Sequence, residues 1–472
     1  MSDLDIFVHF QRAVQAGKKR ADQLKKGVLV SIVEKIDVDP LECLEKNIQD
    51  QEEANFFWKN PHMNFQLAGI GSLKMIQVKE ENRFDNVRQQ WKELVQHAVI
   101  HNPFSLQGTG PLLFGSFSFQ PMREQSDSRW NKFKNGLFYL PKFMVTKHDE
   151  DTFLTTNVFC FPDKPCTIDA LINTREQFFT NDIKKSPFHS FDPPMIKNEN
   201  DEKWIENVTK AVQLLNENYV EKVVLARELR LAFQDKRSFL FVLNQLIEQQ
   251  NNNYIFSISH DGDHFLGATP ERLVRKEGNR IFSACVAGSA PSGKTNQEKE
   301  EMKRELLNDQ KNLGEHAFVV EMIDGIFRKY CEDVRIPKQP IIMENRDILH
   351  LYTPVEGVLS KKDTSIFHIV ESLHPTPAMG GTPRERAIPL INDLELFERG
   401  LYAAPIGWVD IESNGEFVVA IRSGLLQGKE ASIFAGCGIV KDSDPRKEFE
   451  ETNIKFRPML RALGGFDVES ST

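Results

Sequence analysis

Strand-like and helix-like segments do not alternate regularly along this chain. That irregularity argues against a doubly wound parallel fold, in which every strand is followed by a crossover helix. Segments rich in aromatic and β-branched residues read as strands: Lys26–Ile36, Gly110–Phe119, Gly136–Lys147, KVVLARELRLAF (Lys222–Phe233) and EFVVAIRSGLL (Glu416–Leu426). Helical spacing places Phe84, Val87, Trp91, Leu94, Val95 and Ala98 on one face, and Trp204, Val208, Ala211, Val212 and Leu215 on another. The pattern predicts an α+β fold with large antiparallel sheets and helices outside. The polar, proline-bearing run Ser186–Lys203 is the best linker candidate. It divides residues 1–190, a variable part without a chemical motif, from residues 201–465, where motif-like segments are dense.

Composition excludes several classes of function. The 472 residues carry 59 basic and 68 acidic side chains, a formal net charge of −9, and the basic residues are not gathered into one stretch. No nucleic-acid footprint is expected. Six cysteines occur without a CxxC pair, so neither a zinc ribbon nor a redox motif is indicated, and reduced, packed thiols are expected. The N-terminal segment lacks the apolar centre of a signal peptide, and no run of about 18 apolar residues is present. A cytoplasmic protein is expected.

Four constellations carry possible chemistry. Lys222 leads into an apolar strand, where burial lowers an amine's pKa toward the range of a usable base. A lysine snorkelling from a strand end is the alternative. Glu271 follows GATP, a turn that presents its carboxyl beside apolar neighbours and suits a general acid; a surface pair with Arg272 is the alternative. Glu315 lies in a helix with apolar residues on more than one face, which predicts burial all round. A buried carboxylate needs a partner or a hard cation such as Mg²⁺. Near the C-terminus, AGCGIV offers small residues for close approach. Glu448, Glu451 and Lys455 follow it at i, i+3, i+7, with an exposed Glu–Lys helix face as the alternative. Arg422, inside an apolar strand, calls for an anion, and its planar fork suits a carboxylate.

One motif points elsewhere. Gly288–Thr295 (GSAPSGKT) fits the phosphate-loop pattern in full and raises a nucleotide-binding module as an alternative. Pro291 removes one cradling N–H, and the following Asn296–Asn312 is too polar for a helix packed on a parallel sheet.

Taken together and in order, KVVLAR, GATPERL, ACVAGSA, DQKNLGEH, HLYT, LHPTPAMGG, LYAAPIGW, VVAIRSG and AGCGIVKDSDPRKEFEET resemble the chorismate-utilising enzymes. The resemblance covers roughly Asp201 to Leu463, and FFWKNPHMNFQLAGIG is its most suggestive N-terminal stretch. It implies that Lys222 is the base activating water and Glu271 the acid protonating the departing hydroxyl. It makes Glu315 and Glu451 Mg²⁺ ligands, with Glu448 close by. Arg422 and Lys455 would bind substrate carboxylates, with backbone from Gly288 and Gly436. Ser289, His350 and Thr353 fall at substrate-proximal positions. Amine-adding relatives resemble one another in having glutamine where Lys222 stands, and aminodeoxychorismate synthases carry lysine where Ala287 stands. Both features are absent, so water is the expected nucleophile. That implies isochorismate synthesis, with salicylate synthesis as the runner-up, chorismate as substrate, no glutamine amidotransferase subunit, and a monomer.

Overall fold

The computed structural model describes residues 3–48, 54–122, 128–164, 168–180, 193–197, 200–293, 295–346 and 348–465. Its strands form one continuous, almost wholly antiparallel sheet that folds over into two layers. From one edge, the first layer runs Val28–Ile36, Asp151–Cys160, Gly136–His148, Phe65–Val78, Asn55–Asn60, Tyr254–His260, Asp263–Thr269, Ser423–Gln427, Glu430–Ile439 and Lys222–Ala232. The second runs Leu112–Phe117, Pro405–Asp410, Gly415–Val419, Arg272–Glu277, Arg280–Pro291 and Ile348–Leu359. Strand Gly136–His148 joins the layers: its first residues pair with Leu112–Phe117 and its last with Asp151–Cys160.

Period-two alternation explains the layering. In Asn55–Asn60, Phe56 and Trp58 point between the layers, and Phe57 points to the opposite face. Phe56 stacks on Phe114 of the second layer at 4.3 Å between ring centres, and Phe65 meets Trp408 at 5.5 Å. On the outer face of the first layer, helices Phe239–Gln249 and Pro445–Ala462 cover Phe57, Ile255, Leu266 and Ile433.

The N-terminal part is woven into this sheet. Asn55–Asn60 pairs with Tyr254–His260, and Leu112–Phe117 pairs with Pro405–Asp410. Much of the expected linker lies outside the described residues, and Asp201–Lys203 already form the first turn of helix Asp201–Asn216. Cys43, Cys285, Cys331 and Cys437 are buried free thiols, Cys160 is also buried, and Cys166 lies outside the described residues. Among the described residues no helix is long and apolar enough to cross a membrane.

Two sequence expectations need correction. EFVVAIRSGLL is not one strand. It breaks into Gly415–Val419 in the second layer and Ser423–Gln427 in the first, because the chain crosses between layers at Ala420–Arg422. Helix Gln310–Tyr330 is not buried all round: it buries His316, Val319, Ile323 and Phe327, while Ala317 is exposed. Its outward apolar residues are small or only half covered.

Two outcomes test this packing. Phe56→Ala removes a fully buried ring and is expected to cost about 3–5 kcal/mol, seen as a lower urea midpoint. Residues 201–465 produced alone strip strands Tyr254–His260 and Pro405–Asp410 of one of their two neighbouring strands each, so that fragment should show no cooperative thermal transition. A sharp transition in the fragment would contradict the interwoven sheet.

Candidate active site

A second crossing lies beside the first. Between Thr269 and Arg272 the chain passes from the first layer to the second. The two crossings are tied: the Ala268 N–H donates to the Arg422 carbonyl (3.1 Å) and the Val419 N–H to the Glu271 carbonyl (3.0 Å). Glu271 and Arg422 therefore sit together where both ladders end, on the wall of a cavity of about 260 Å³. Arg422 has φ 51°, a left-handed conformation that is costly for a residue with a side chain and persists only when its surroundings hold it. The Glu271 N–H donates to Thr269 Oγ1 at 3.2 Å. Burial pushes the Glu271 carboxyl up to about 8, although Arg422, Lys222 and Lys455 pull it down. Glu271 thus keeps its proton at neutral pH, unlike an ordinary glutamate.

Lys222 opens strand Lys222–Ala232 and is fully buried. Its Nζ donates to Glu315 Oε1 at 2.6 Å. Glu315 lines the cavity, and the amine stands behind it rather than among the lining residues. On the adjacent strand, Gly438 pairs with Val224 and presses on this couple. A Cβ at 438 would lie 2.5 Å from Glu315 Oε1 and 2.7 Å from Lys222 Cε. Here glycine is required for close approach, as the AGCGIV segment suggested.

Helix Pro445–Ala462 supplies the opposite wall. Asp444 caps it by accepting from the backbone N–H groups of Arg446 and Lys447, with Pro445 in the first turn. Glu448 and Lys455 are buried, which rules out an exposed Glu–Lys face. Lys455 Nζ pairs with Glu451 Oε1 at 2.5 Å and donates to the Gly436 carbonyl at 2.8 Å. Glu448 pairs with Lys311 Nζ at 3.1 Å. Burial raises the Glu451 carboxyl, but the charges of Lys455, Lys311 and Arg422 outweigh it and hold the group below its ordinary value. Glu315, Glu448 and Glu451 all line the cavity with oxygen donors. That donor set suits a hard cation, which takes few carboxylates and completes its shell with water and substrate oxygens. Among the described residues no group of three or more His, Cys, Asp or Glu is placed to hold a metal ion together, so these carboxylates do not form a preformed cage.

Gly288, Ser289 and His350 line the third side. Burial, with Arg422 and Lys455 nearby, holds the His350 imidazole well below its ordinary range, and it bonds to Gly288 backbone. Thr353 is not among the lining residues; its hydroxyl bonds His316 Nε2 at 2.8 Å. The phosphate-loop segment forms no loop at its start. Gly288–Pro291 ends a strand, with Ser289, Ala290 and Pro291 paired to His350, Leu349 and Ile348, and Thr295 caps the next helix. Lys294 lies outside the described residues. The Ala290–Pro291 part of the motif is therefore committed to strand pairing and does not form a phosphate loop.

Sequence reasoning missed Lys311, Asn312 and Tyr402, which also line the cavity. All three fall inside segments that carried the resemblance, DQKNLGEH and LYAAPIGW, but one sequence does not show which side chains in a motif face inward. The close approach of Gly438 yields a test. Gly438→Ala should leave the melting temperature nearly unchanged while displacing Lys222 or Glu315, with a rate loss on the order of a hundredfold. Full activity would contradict the close packing.

Comparison with known proteins bears on the family and the fold. A family model described as "Chorismate binding enzyme" matches residues 13–464. The isochorismate synthase MenF of Bacillus subtilis is 38% identical over 464 residues, 97% of this chain and 98% of that protein. A salicylate biosynthesis isochorismate synthase of Pseudomonas aeruginosa is 31% identical over 468 residues, 97% and 94% of the two chains. The solved structure of MenF, the menaquinone-specific isochorismate synthase from Escherichia coli, shares the fold with a TM-score of 0.76 at 22% identity, covering 96% of this chain and 99% of that one. From the ordered motifs, the two-layered sheet and these matches, the chain belongs to the family of chorismate-binding enzymes.

Proposed function

We propose that the protein is an isochorismate synthase, an isomerase that moves the hydroxyl of chorismate from C4 to C2 of the ring. The observation that carries this reading is the convergence on one small cavity of a protonated, buried Glu271, the Lys222–Glu315 couple, and the two cations Arg422 and Lys455. Full-length similarity to isochorismate synthases supports it.

In this mechanism Arg422 and Lys455 bind the two substrate carboxylates and fix the ring's orientation. Gly288 and Gly436 let the backbone approach the ring, with Ser289 and His350 beside them. Lys222 takes a proton from the water that attacks C2. As the C2–O bond forms, both conjugated ring double bonds shift, C1=C2 to C1=C6 and C5=C6 to C4=C5, and the C4–O bond breaks. Glu271 gives its proton to the departing hydroxyl, which leaves as water. Atoms balance: one water enters, one leaves, and the product is an isomer. Glu315 and Glu451, with Glu448 adjacent, would hold Mg²⁺, which supplies Lewis-acid charge at the ring carboxylate. With water as nucleophile, no glutamine amidotransferase subunit is needed. We place the enzyme in the cytoplasm, supplying menaquinone synthesis, since a MenF protein matches it end to end.

Two measurements follow. Purified protein with chorismate and Mg²⁺ should yield isochorismate alone by chromatography, with none in EDTA and none from Lys222→Ala. Salicylate with pyruvate would contradict the assignment to isochorismate synthesis, and absence of turnover by folded protein would contradict the enzyme. For pH, the acid must be protonated, so kcat/KM should fall as pH rises through about 8, tenfold per unit beyond it. A profile flat to pH 10 would show that Glu271 is not the acid.

A further inference from the structure

Strand Arg280–Pro291 loses register against Ile348–Leu359 at one place. Val286 stands opposite Tyr352, and the next matched pair is Ser289 with His350. Ala287 and Gly288 therefore face the single residue Leu351, which makes a bulge. Gly288 has φ 80°, a conformation cheap only for glycine. The Gln310–Tyr330 helix sits directly on it: a Cβ at Gly288 would lie 3.0 Å from the Asn312 carbonyl oxygen and 3.2 Å from Asn312 Cβ.

A bulge takes backbone polar groups out of the ladder, and buried ones need other partners. Two side chains of that helix supply them. Asn312 Oδ1 accepts from the Ser289 N–H at 3.0 Å. His316 Nδ1 bonds the Ala287 carbonyl at 2.9 Å. A carbonyl only accepts, so Nδ1 carries the ring hydrogen, and Nε2 accepts from Thr353 Oγ1. Asn312 and His316 are one turn apart on the same helix face and grip the residues on either side of Gly288. Ala287, Gly288 and Ser289 all line the cavity.

We infer that Asn312 and His316 are positioning residues that staple the Ala287–Gly288 bulge open, so that its backbone grips the substrate. The inference rests on reading the cavity as the chorismate site. The staples hold the cradle and take no part in proton transfer, so their loss weakens substrate binding and leaves the chemical step largely intact. Thr353 then acts through His316, by fixing the ring's tautomer and orientation.

Two measurements on the full chain test this. The first is amide hydrogen exchange at Ser289, which needs no turnover. In Asn312→Ala this amide should exchange at least about tenfold faster, the ratio that loss of one hydrogen bond gives, while the amides of Asn55–Asn60 stay protected. The second is steady-state kinetics with chorismate. Asn312→Ala should raise KM about tenfold with kcat within about threefold. His316→Asn keeps a donor near the Nδ1 position and should hold KM near the wild-type value. His316→Gln places its amide toward Thr353 and should not. Unchanged Ser289 exchange in Asn312→Ala would overturn the inference. So would His316→Asn and His316→Gln losing kcat and melting temperature alike at constant KM. A wild-type chain that binds no chorismate would refute the functional reading instead, and Ser289 exchange would still decide the stapling.

Discussion

The site depends on one constraint: where a sheet folds over on itself, the chain must leave one ladder and enter another. Two such crossings lie side by side, tied by the bonds from Ala268 to Arg422 and from Val419 to Glu271. Each bond satisfies a backbone group that neither ladder could serve. Side chains at crossings belong to neither face of a pleat, so they can point along the gap between layers. Glu271 and Arg422 both line the cavity, and both are buried there. Packing such as Phe56 on Phe114 holds the layers apart at a fixed spacing and thereby fixes the cavity.

Charge is the second organising feature. The cavity gathers Glu315, Glu448 and Glu451, each paired with a lysine: Lys222, Lys311 and Lys455. Unpaired carboxylates in so small a buried volume would repel one another and neutralise by taking up protons. The pairs keep Glu451 ionised, whereas Glu271, raised by burial and not directly bonded to a lysine, stays protonated. One cavity thus holds an acid, Glu271, and an ionised carboxylate, Glu451, at the same pH, separated by environment alone.

Much of this was legible in the sequence. Aromatic and β-branched runs marked the strands, and Glu271, Glu315, Glu451 and Lys455 stood in motifs whose order pointed to one chemistry. What was not legible is tertiary. Arg422 in a left-handed conformation has no local signature, since arginine is not glycine, and the bond from Ala268 that ties it there comes from a strand far away in the chain. Lys311 meets Glu448 across 137 residues of chain, a pairing that no local pattern announces. The helix bearing Glu315 looked apolar all round because composition does not reveal which apolar residues remain half exposed. Thr353 sits near the site, but its hydroxyl turns to His316, a choice made by packing.

The most direct measurement of the central claim is the protonation state of Glu271 itself. Infrared difference spectra of the wild type against Glu271→Gln should show a carboxylic-acid carbonyl band at pH 7 that disappears as pH rises through about 8. A band already lost at pH 6 would mean that Glu271 is an ordinary carboxylate, and the crossing between layers would not be the place where the acid is made.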